Sequence, residues 1–155
     1  PNWRADLQRF LGQDLLVEDH LRPFLGVIES ARDEFERHIV VWCIDNYVPL
    51  RWLPEKDVHV CFYEDFVLRP EEEIARLFAF LNRPYDPHAL RVVGKPSATT
   101  RRDSAVLSGD GLMDGWRGSV SASQIDGAVR ILDGFGLTRV YGADPLPETR
   151  QPLAG

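Results

Sequence analysis

The sequence has little cysteine, no long apolar run and no excess of positive charge. Its two cysteines, Cys43 and Cys61, fit a reduced intracellular protein better than a secreted domain held together by disulfides. Its longest apolar stretches, such as residues 24–28 and 39–44, are far shorter than the roughly 20 residues that span a bilayer, and the N-terminus lacks a signal-peptide pattern. We therefore expect a cytoplasmic protein without a membrane segment.

The net charge of −6 argues against a general nucleic-acid binder, because such proteins need an electropositive surface. Hydrophobic residues make up 44% of the 155 residues and charged residues 27%, which is typical of one globular domain. A domain of this length buries roughly 70% of its unfolded surface, so it needs neither a disulfide nor a metal for stability. Any anionic ligand must then be bound by a local group of positive charges.

Apolar periodicity predicts four helices. They cover residues 3–17 with an interruption at Gly12, residues 30–47 with an end forced by Pro49 and Pro54, residues 70–81 from Pro70 onwards, and a last helix that follows a capping box at Ser121 and Gln124 and stops at Gly134 and Gly136. The proline, capping and glycine positions follow the known preferences of helix ends.

The remaining segments predict a strand, turns and a long loop. Val58–Tyr63 is rich in β-formers and predicts a buried strand. Residues 82–87 predict a turn, and residues 88–93 one or two short helical turns. Residues 94–118, rich in Gly, Ser, Thr and Asp, predict a long functional loop, and residues 142–155 predict a disordered tail with three prolines.

A local reversal of charge lies inside this acidic chain. Residues 91–102 carry four positive charges and no negative one, namely Arg91, Lys95, Arg101 and Arg102. Ser97, Thr99 and Thr100 lie among them, and arginine forks together with hydroxyls are the donors that phosphate or sulfate requires. Two interpretations stay open at this point: an anion site, and a solvated basic loop that balances Glu71–Glu73.

A second basic element is Gly115-Trp116-Arg117-Gly118, just before the cap of the last helix. Arg117 could close over a phosphate and Trp116 could pack under the loop or a purine, whereas plain core packing of Trp116 is the alternative. The segment Gly94-Lys95-Pro96-Ser97 is not a nucleoside-triphosphate loop, because Ala89 stands where that motif has a glycine and the proline removes an amide.

The spacing of histidines and cysteines indicates no metal site. The four histidines are scattered along the chain, and Cys43 and Cys61 do not form a paired ligand motif. Glu64 and Asp65, at the end of the predicted strand, are candidates for acid–base chemistry. The simpler interpretation is that one of them caps the turn before the helix at Pro70.

The order of these features resembles the C-terminal half of the sulfotransferases that use 3′-phosphoadenosine 5′-phosphosulfate (PAPS). The resemblance is carried by the strand running into Tyr63-Glu64-Asp65-Phe66, by Arg69-Pro70 and the following helix, and by its end at Leu77–Leu81. Lys95–Ser104 and Gly115–Arg117 are similar to the cofactor loop and the Gly-Asp-Trp-Lys segment of that family.

This resemblance covers about residues 30–136 and implies an α/β fold related to nucleotide kinases, with residues 1–141 as its C-terminal, mostly helical part containing one strand. It implies that eight residues bind the adenosine and 3′-phosphate of the co-substrate PAPS: Ser97, Thr99, Thr100, Arg101, Arg102, Trp116, Arg117 and Gly118. The acceptor would be a hydroxyl or amine of a small molecule or glycan. No metal is implied, and no catalytic residue is assigned.

The chain lacks the phosphosulfate loop of that family, which binds the 5′ end of the cofactor at a helix N-terminus, and its usual His or Glu base. The resemblance therefore implies an upstream half of the same enzyme, with Pro1 as a boundary inside it, and no sulfuryl transfer by this chain alone. The alternative is a non-catalytic helical module that binds another protein through its loop and the surfaces at Trp3, Trp42 and Trp52.

Overall fold

A computed structural model describes residues 3–54, 56–93 and 113–148. In chain order its α-helices are α1 (Trp3–Leu11), α2 (Asp14–Leu16), α3 (Leu25–Glu29), α4 (Glu34–Trp52), α5 (Tyr63–Leu68), α6 (Pro70–Phe80), α7 (Leu90–Val93) and α8 (Ala122–Gly134). A π-helical turn covers Val17–Leu21, and 3₁₀ turns cover Arg22–Phe24, Pro87–Ala89 and Gly115–Gly118. None of these helices has the length and apolarity needed to cross a bilayer.

The predicted α/β class, with a strand at residues 58–62, is wrong for the residues that the structure describes, which are helical and contain no strand. Phe62 has extended backbone angles, with φ −92° and ψ 131°. The backbone N–H groups of residues 58–61, however, donate no hydrogen bond to another described main-chain carbonyl. A strand is defined by its ladder of bonds to a neighbour, so β-forming side chains without a partner leave only an irregular connection between α4 and α5.

Local signals place the ends of several helices as predicted. Helix α6 begins at Pro70, where proline loses no intrahelical bond. The capping box of α8 is complete, since the Ser121 side chain accepts from the Gln124 N–H and the Gln124 side chain accepts from the Ser121 N–H. Gly136 then adopts a left-handed φ of +69°, and the Leu137 N–H donates to the Leu132 carbonyl at 2.8 Å, which closes the helix in a Schellman motif.

Helix α4 differs from the prediction at both ends. It begins at Glu34, because the Asp33 carboxylate accepts from the Glu36 N–H at 2.9 Å and acts as the N-cap. It also continues through Pro49 to Trp52. The proline removes a single N–H near the end of the helix, and the chain resumes helical bonding with Leu53 N–H donating to the Pro49 carbonyl at 3.1 Å.

The core lies mainly between α4, α8 and the segment that leads into α3. Phe24 stacks on Phe135 with ring centroids 4.6 Å apart, and Tyr47 meets the Phe24 ring edge-on at 4.6 Å. Among the described hydrophobic residues, those with no exposed surface are Leu21, Val40, Cys43, Ile131 and Leu137. Helices α5, α6 and α7 form the other packed group of helices.

Candidate functional site

The structure describes three of the eight predicted cofactor-binding residues. Trp116, Arg117 and Gly118 lie together on the 3₁₀ turn Gly115–Gly118, directly before the cap of α8. The other five lie outside the described residues: Ser97, Thr99, Thr100, Arg101 and Arg102. The 3₁₀ turn is therefore the described part of the predicted anion site.

Trp116 is a surface aromatic and not a core residue. The side chain is 40% exposed, and its indole N–H donates to the Met113 carbonyl at 3.0 Å. The guanidinium of Arg117 lies 5.4 Å from the centroid of the Trp116 ring, within the range of a cation–π contact. The 3₁₀ turn thus presents a flat ring and a positive charge side by side.

Arg117 is oriented by the chain that follows α8. Its Nη2 donates to the Ala143 carbonyl at 2.8 Å and to the Asp144 carboxylate at 3.3 Å. These contacts use only one of its three nitrogens, and Nη1 and Nε donate to no acceptor among the described residues. An anion approaching this guanidinium would meet these two donor nitrogens, together with the opposing charge of the exposed Asp144 carboxylate.

Glu64 and Asp65, which the sequence singles out, have different roles in the structure. Asp65 is 1% exposed and accepts from Arg69 Nη2 at 2.6 Å. Arg69 is the N-cap residue of α6 and has no side-chain cap of its own, so Asp65 positions the start of that helix through an ion pair. The Glu64 carboxylate instead accepts from the Tyr141 hydroxyl at 2.8 Å.

The Glu64–Tyr141 pair lies in an open cavity of about 340 Å³ whose other lining residues are Ile39, Trp42 and Leu132. The Tyr141 ring meets Trp42 at 5.8 Å in an edge-on arrangement. Apolar walls with one hydrogen-bonded acid are typical of a small-molecule cleft. Trp42, which the sequence analysis proposed as part of a protein-binding surface, thus lies on the wall of a groove between α4 and α8.

A third cluster joins the irregular segment before α5 to helix α6. The ligand atoms of His59, Cys61 and Glu73 all lie within 4.8 Å of one another. His59 Nε2 is 3.6 Å from Glu73 Oε1, and the imidazole stacks on Phe80 at 5.3 Å. Partial desolvation raises the pKa of the Cys61 thiol, although the residue is exposed, and the negative charge of Glu73 raises this pKa further.

Motif spacings do not reveal this cluster, because its three residues do not form a paired ligand motif in the sequence. The usable signal was weaker: His59 and Cys61 are two positions apart in a β-forming run, which puts their side chains on the same side of an extended backbone. Nothing in the spacing shows that Glu73 of α6 faces them. That contact depends on how α6 folds back over the segment.

Comparison with protein-family models found no match, and comparisons with curated proteins and with solved structures found none either.

The two thiols should differ sharply in reactivity. Cys43 has no exposed surface, and burial raises its pKa to about 12, so almost no thiolate exists near pH 8. Cys61 is exposed. With an aromatic disulfide reagent at pH 8 we expect one thiol per native chain to react and two after denaturation, with the native signal lost in Cys61→Ser. Two reactive thiols in the folded protein would contradict the burial of Cys43.

Proposed function

We propose that this chain supplies the adenosine and 3′-phosphate side of the cofactor site in a PAPS-dependent sulfotransferase. The observation that carries the proposal is the exposed pair of Trp116 and Arg117, which follows in sequence the basic, hydroxyl-rich segment 91–102. Arg101 and Arg102 would bind the 3′-phosphate together with Arg117. Ser97, Thr99 and Thr100 would contact the ribose and adenine, and Trp116 would brace the loop.

The described contacts of Arg117 support this role. Its guanidinium is held in place through Nη2, which leaves Nη1 and Nε for a phosphate oxygen at little further cost in side-chain entropy. No described atom lies within 4 Å of a Cβ atom built at Gly115 or Gly118, so the surface on either side of Trp116 and Arg117 is open at these two positions. A charge-assisted hydrogen bond of this kind contributes about 1.5–3 kcal/mol.

In the complete reaction an acceptor hydroxyl or amine, losing its proton to a base, attacks the sulfur of PAPS. The sulfur–oxygen bond to the phosphate breaks, and adenosine 3′,5′-bisphosphate leaves. Catalysis of such a transfer rests on positioning and on cations that stabilise negative charge on the transferred group and the leaving phosphate. This sequence has no loop for the 5′ end, so we propose that an upstream half of the same enzyme provides it.

Calorimetric titration with adenosine 3′,5′-bisphosphate tests the proposal. We expect the complete protein, including the part that binds the 5′ end, to bind it. We expect Arg101→Ala and Arg102→Ala each to weaken binding at least about tenfold, because each removes a charge-assisted bond to the 3′-phosphate. Arg22→Ala is the matched control, since Arg22 is an exposed arginine paired with Glu18 at 3.2 Å and should leave the affinity unchanged.

Adenosine 5′-monophosphate is the second control, because it lacks the 3′-phosphate. It should bind more weakly, and its affinity should not depend on Arg101 or Arg102. Failure of the bisphosphate to bind, or equal affinity in the wild type and both alanine variants, would overturn the proposal.

A second candidate function, a non-catalytic helical interaction module, is favoured by the helical architecture of the described residues. Six large apolar or aromatic side chains of the described residues are more than half exposed, namely Leu15, Trp52, Leu53, Tyr63, Leu68 and Leu81. Such residues are typical anchors of protein interfaces when they form a patch. If the chain is such a module, we expect no calorimetric binding of the bisphosphate, and we expect Trp52→Ser to weaken binding of the partner protein.

A further inference from the structure

We propose that His59, Cys61 and Glu73 form a zinc-binding site between the irregular segment before α5 and helix α6. The site would hold one Zn²⁺ through an imidazole nitrogen, a thiolate sulfur and a carboxylate oxygen, with a fourth position left for water. It is separate from the proposed cofactor-binding residues, and neither proposal depends on the other.

The geometry of the three donors suits zinc. Zinc bonds of 2.0–2.3 Å in a tetrahedral arrangement place two ligand atoms about 3.3–3.8 Å apart, and the His59 Nε2 to Glu73 Oε1 distance is 3.6 Å. The Cys61 sulfur lies within 4.8 Å of both. Cys61 is exposed, so a rotation of its side chain can close the remaining ångström. Imidazole, thiolate and carboxylate are also the three ligand types that zinc takes in proteins.

Two of these donor atoms are buried and make no hydrogen bond of normal length. Glu73 is 2% exposed, and within the described chain neither its Oε1 nor His59 Nε2 meets hydrogen-bond geometry; the two atoms lie 3.6 Å apart. Leaving buried polar atoms unsatisfied costs about 1–3 kcal/mol each. A cation bound to both atoms would satisfy both.

The surroundings hold the two side chains in ligating positions. Arg76 Nη1 donates to Glu73 Oε2 at 2.7 Å, which orients the carboxylate and leaves its other oxygen directed at His59. Phe80 stacks on the imidazole at an interplanar angle of 27°, so the ring is fixed without a hydrogen bond at Nε2. Such supporting contacts around the ligands are typical of metal sites.

Binding would exchange one proton for the metal. The Cys61 S–H bond breaks, the proton goes to solvent, and the thiolate forms the sulfur–zinc bond. Glu73 and His59 bind through lone pairs of a carboxylate oxygen and an imidazole nitrogen, and no electron is transferred. Because the thiol proton must leave, metal binding and reaction of Cys61 with a disulfide reagent should exclude each other.

Cobalt(II) is the probe, because a thiolate bound to Co²⁺ has a charge-transfer absorption that a carboxylate or imidazole alone does not produce. We expect the purified, metal-free 155-residue chain to show this absorption with one equivalent of Co²⁺, and Zn²⁺ to abolish it by displacement. Zn²⁺ should also slow the labelling of Cys61 at least about tenfold.

The variants separate this site from adventitious binding. Cys61→Ser should remove the absorption, and Glu73→Gln, which preserves the shape of the side chain, should weaken Co²⁺ binding at least about tenfold. His88→Ala is the matched control, because His88 is an exposed histidine with a carboxylate, Asp86, at 3.4 Å, and it should leave the spectrum unchanged. Circular dichroism checks that each variant keeps its helices.

No charge-transfer absorption in the folded wild-type chain would overturn the proposal. So would an absorption that survives Cys61→Ser, since it would then come from other ligands. Loss of the signal in Cys61→Ser with retention in His88→Ala supports it.

Discussion

Leu137→Ala is expected to lower the free energy of unfolding by about 3–4 kcal/mol, the largest effect of any substitution considered for this chain. Leu137 has no exposed surface and belongs to the main core cluster. Its backbone N–H also closes the Schellman motif at the end of α8 by donating to Leu132 at 2.8 Å. Alanine would leave a cavity at this position. The end of α8 is held by two backbone hydrogen bonds, from Gly136 to Asp133 and from Leu137 to Leu132, so the surrounding chain cannot easily move to fill the cavity.

Urea denaturation followed by the helical circular dichroism signal measures this loss. Leu81→Ala is the matched control, because the same atoms are removed from a side chain that is 54% exposed, and it should change the stability by less than about 1 kcal/mol. Leu137→Met keeps most of the volume and should cost less than about 1.5 kcal/mol. A loss below about 1 kcal/mol for Leu137→Ala would show that this residue does not lie in a close-packed core.

Glu36→Ala is expected to lower the free energy of unfolding by about 3 kcal/mol. This loss is expected even though the substitution removes one negative charge from an acidic protein and so reduces charge repulsion. Glu36 is 5% exposed. Its Oε2 accepts from the Arg32 N–H at 2.7 Å and from Arg130 Nη2 at 2.9 Å, and thereby ties α4 to α8. Removing the carboxylate takes this acceptor away from the Arg32 backbone N–H and from the partly buried Arg130 guanidinium. The cost of losing these two hydrogen bonds exceeds the gain from the reduced repulsion between negative charges.

Gly127 shows how closely the two helices meet at this carboxylate. A Cβ atom at position 127 would lie 2.5 Å from Glu36 Oε1, nearer than two such atoms can approach, so the ion pair and the glycine depend on each other. Glu34→Ala is the matched control for Glu36→Ala. Glu34 is exposed in the same first turn of α4, where its charge contributes less than about 1 kcal/mol at the helix N-terminus. Equal losses for the two alanine variants would contradict the proposed tie between α4 and α8.

The prediction of local structure was most accurate where neighbouring residues decide the conformation. The start of α6 at Pro70 and the capping box at Ser121 are set within one helical turn, so they are readable from a few letters. The predicted end of α4 was wrong, because a proline near the end of a helix removes one hydrogen bond but does not prevent a further helical turn.

The predicted strand failed for a different reason. Val58–Tyr63 has the composition of a strand, but strand formation requires a second segment that bonds to it, and side-chain composition carries no information about that segment. Of the candidate site residues, Trp116 and Arg117 do lie side by side, as their adjacency suggests. The three residues of the proposed zinc site were not predicted together, because Glu73 comes from a different element than His59 and Cys61.

Local sequence signals were sufficient to place the start of α6 and both ends of α8, since capping, proline and glycine preferences act over a few residues. The sequence also shows one basic, hydroxyl-rich segment in this acidic chain. Long-range packing, in contrast, buries Glu36 against Arg130, places Trp42 beside Tyr141 in a groove, and brings Glu73 to His59 and Cys61. These contacts join residues distant in the chain, and their formation depends on how whole helices pack together.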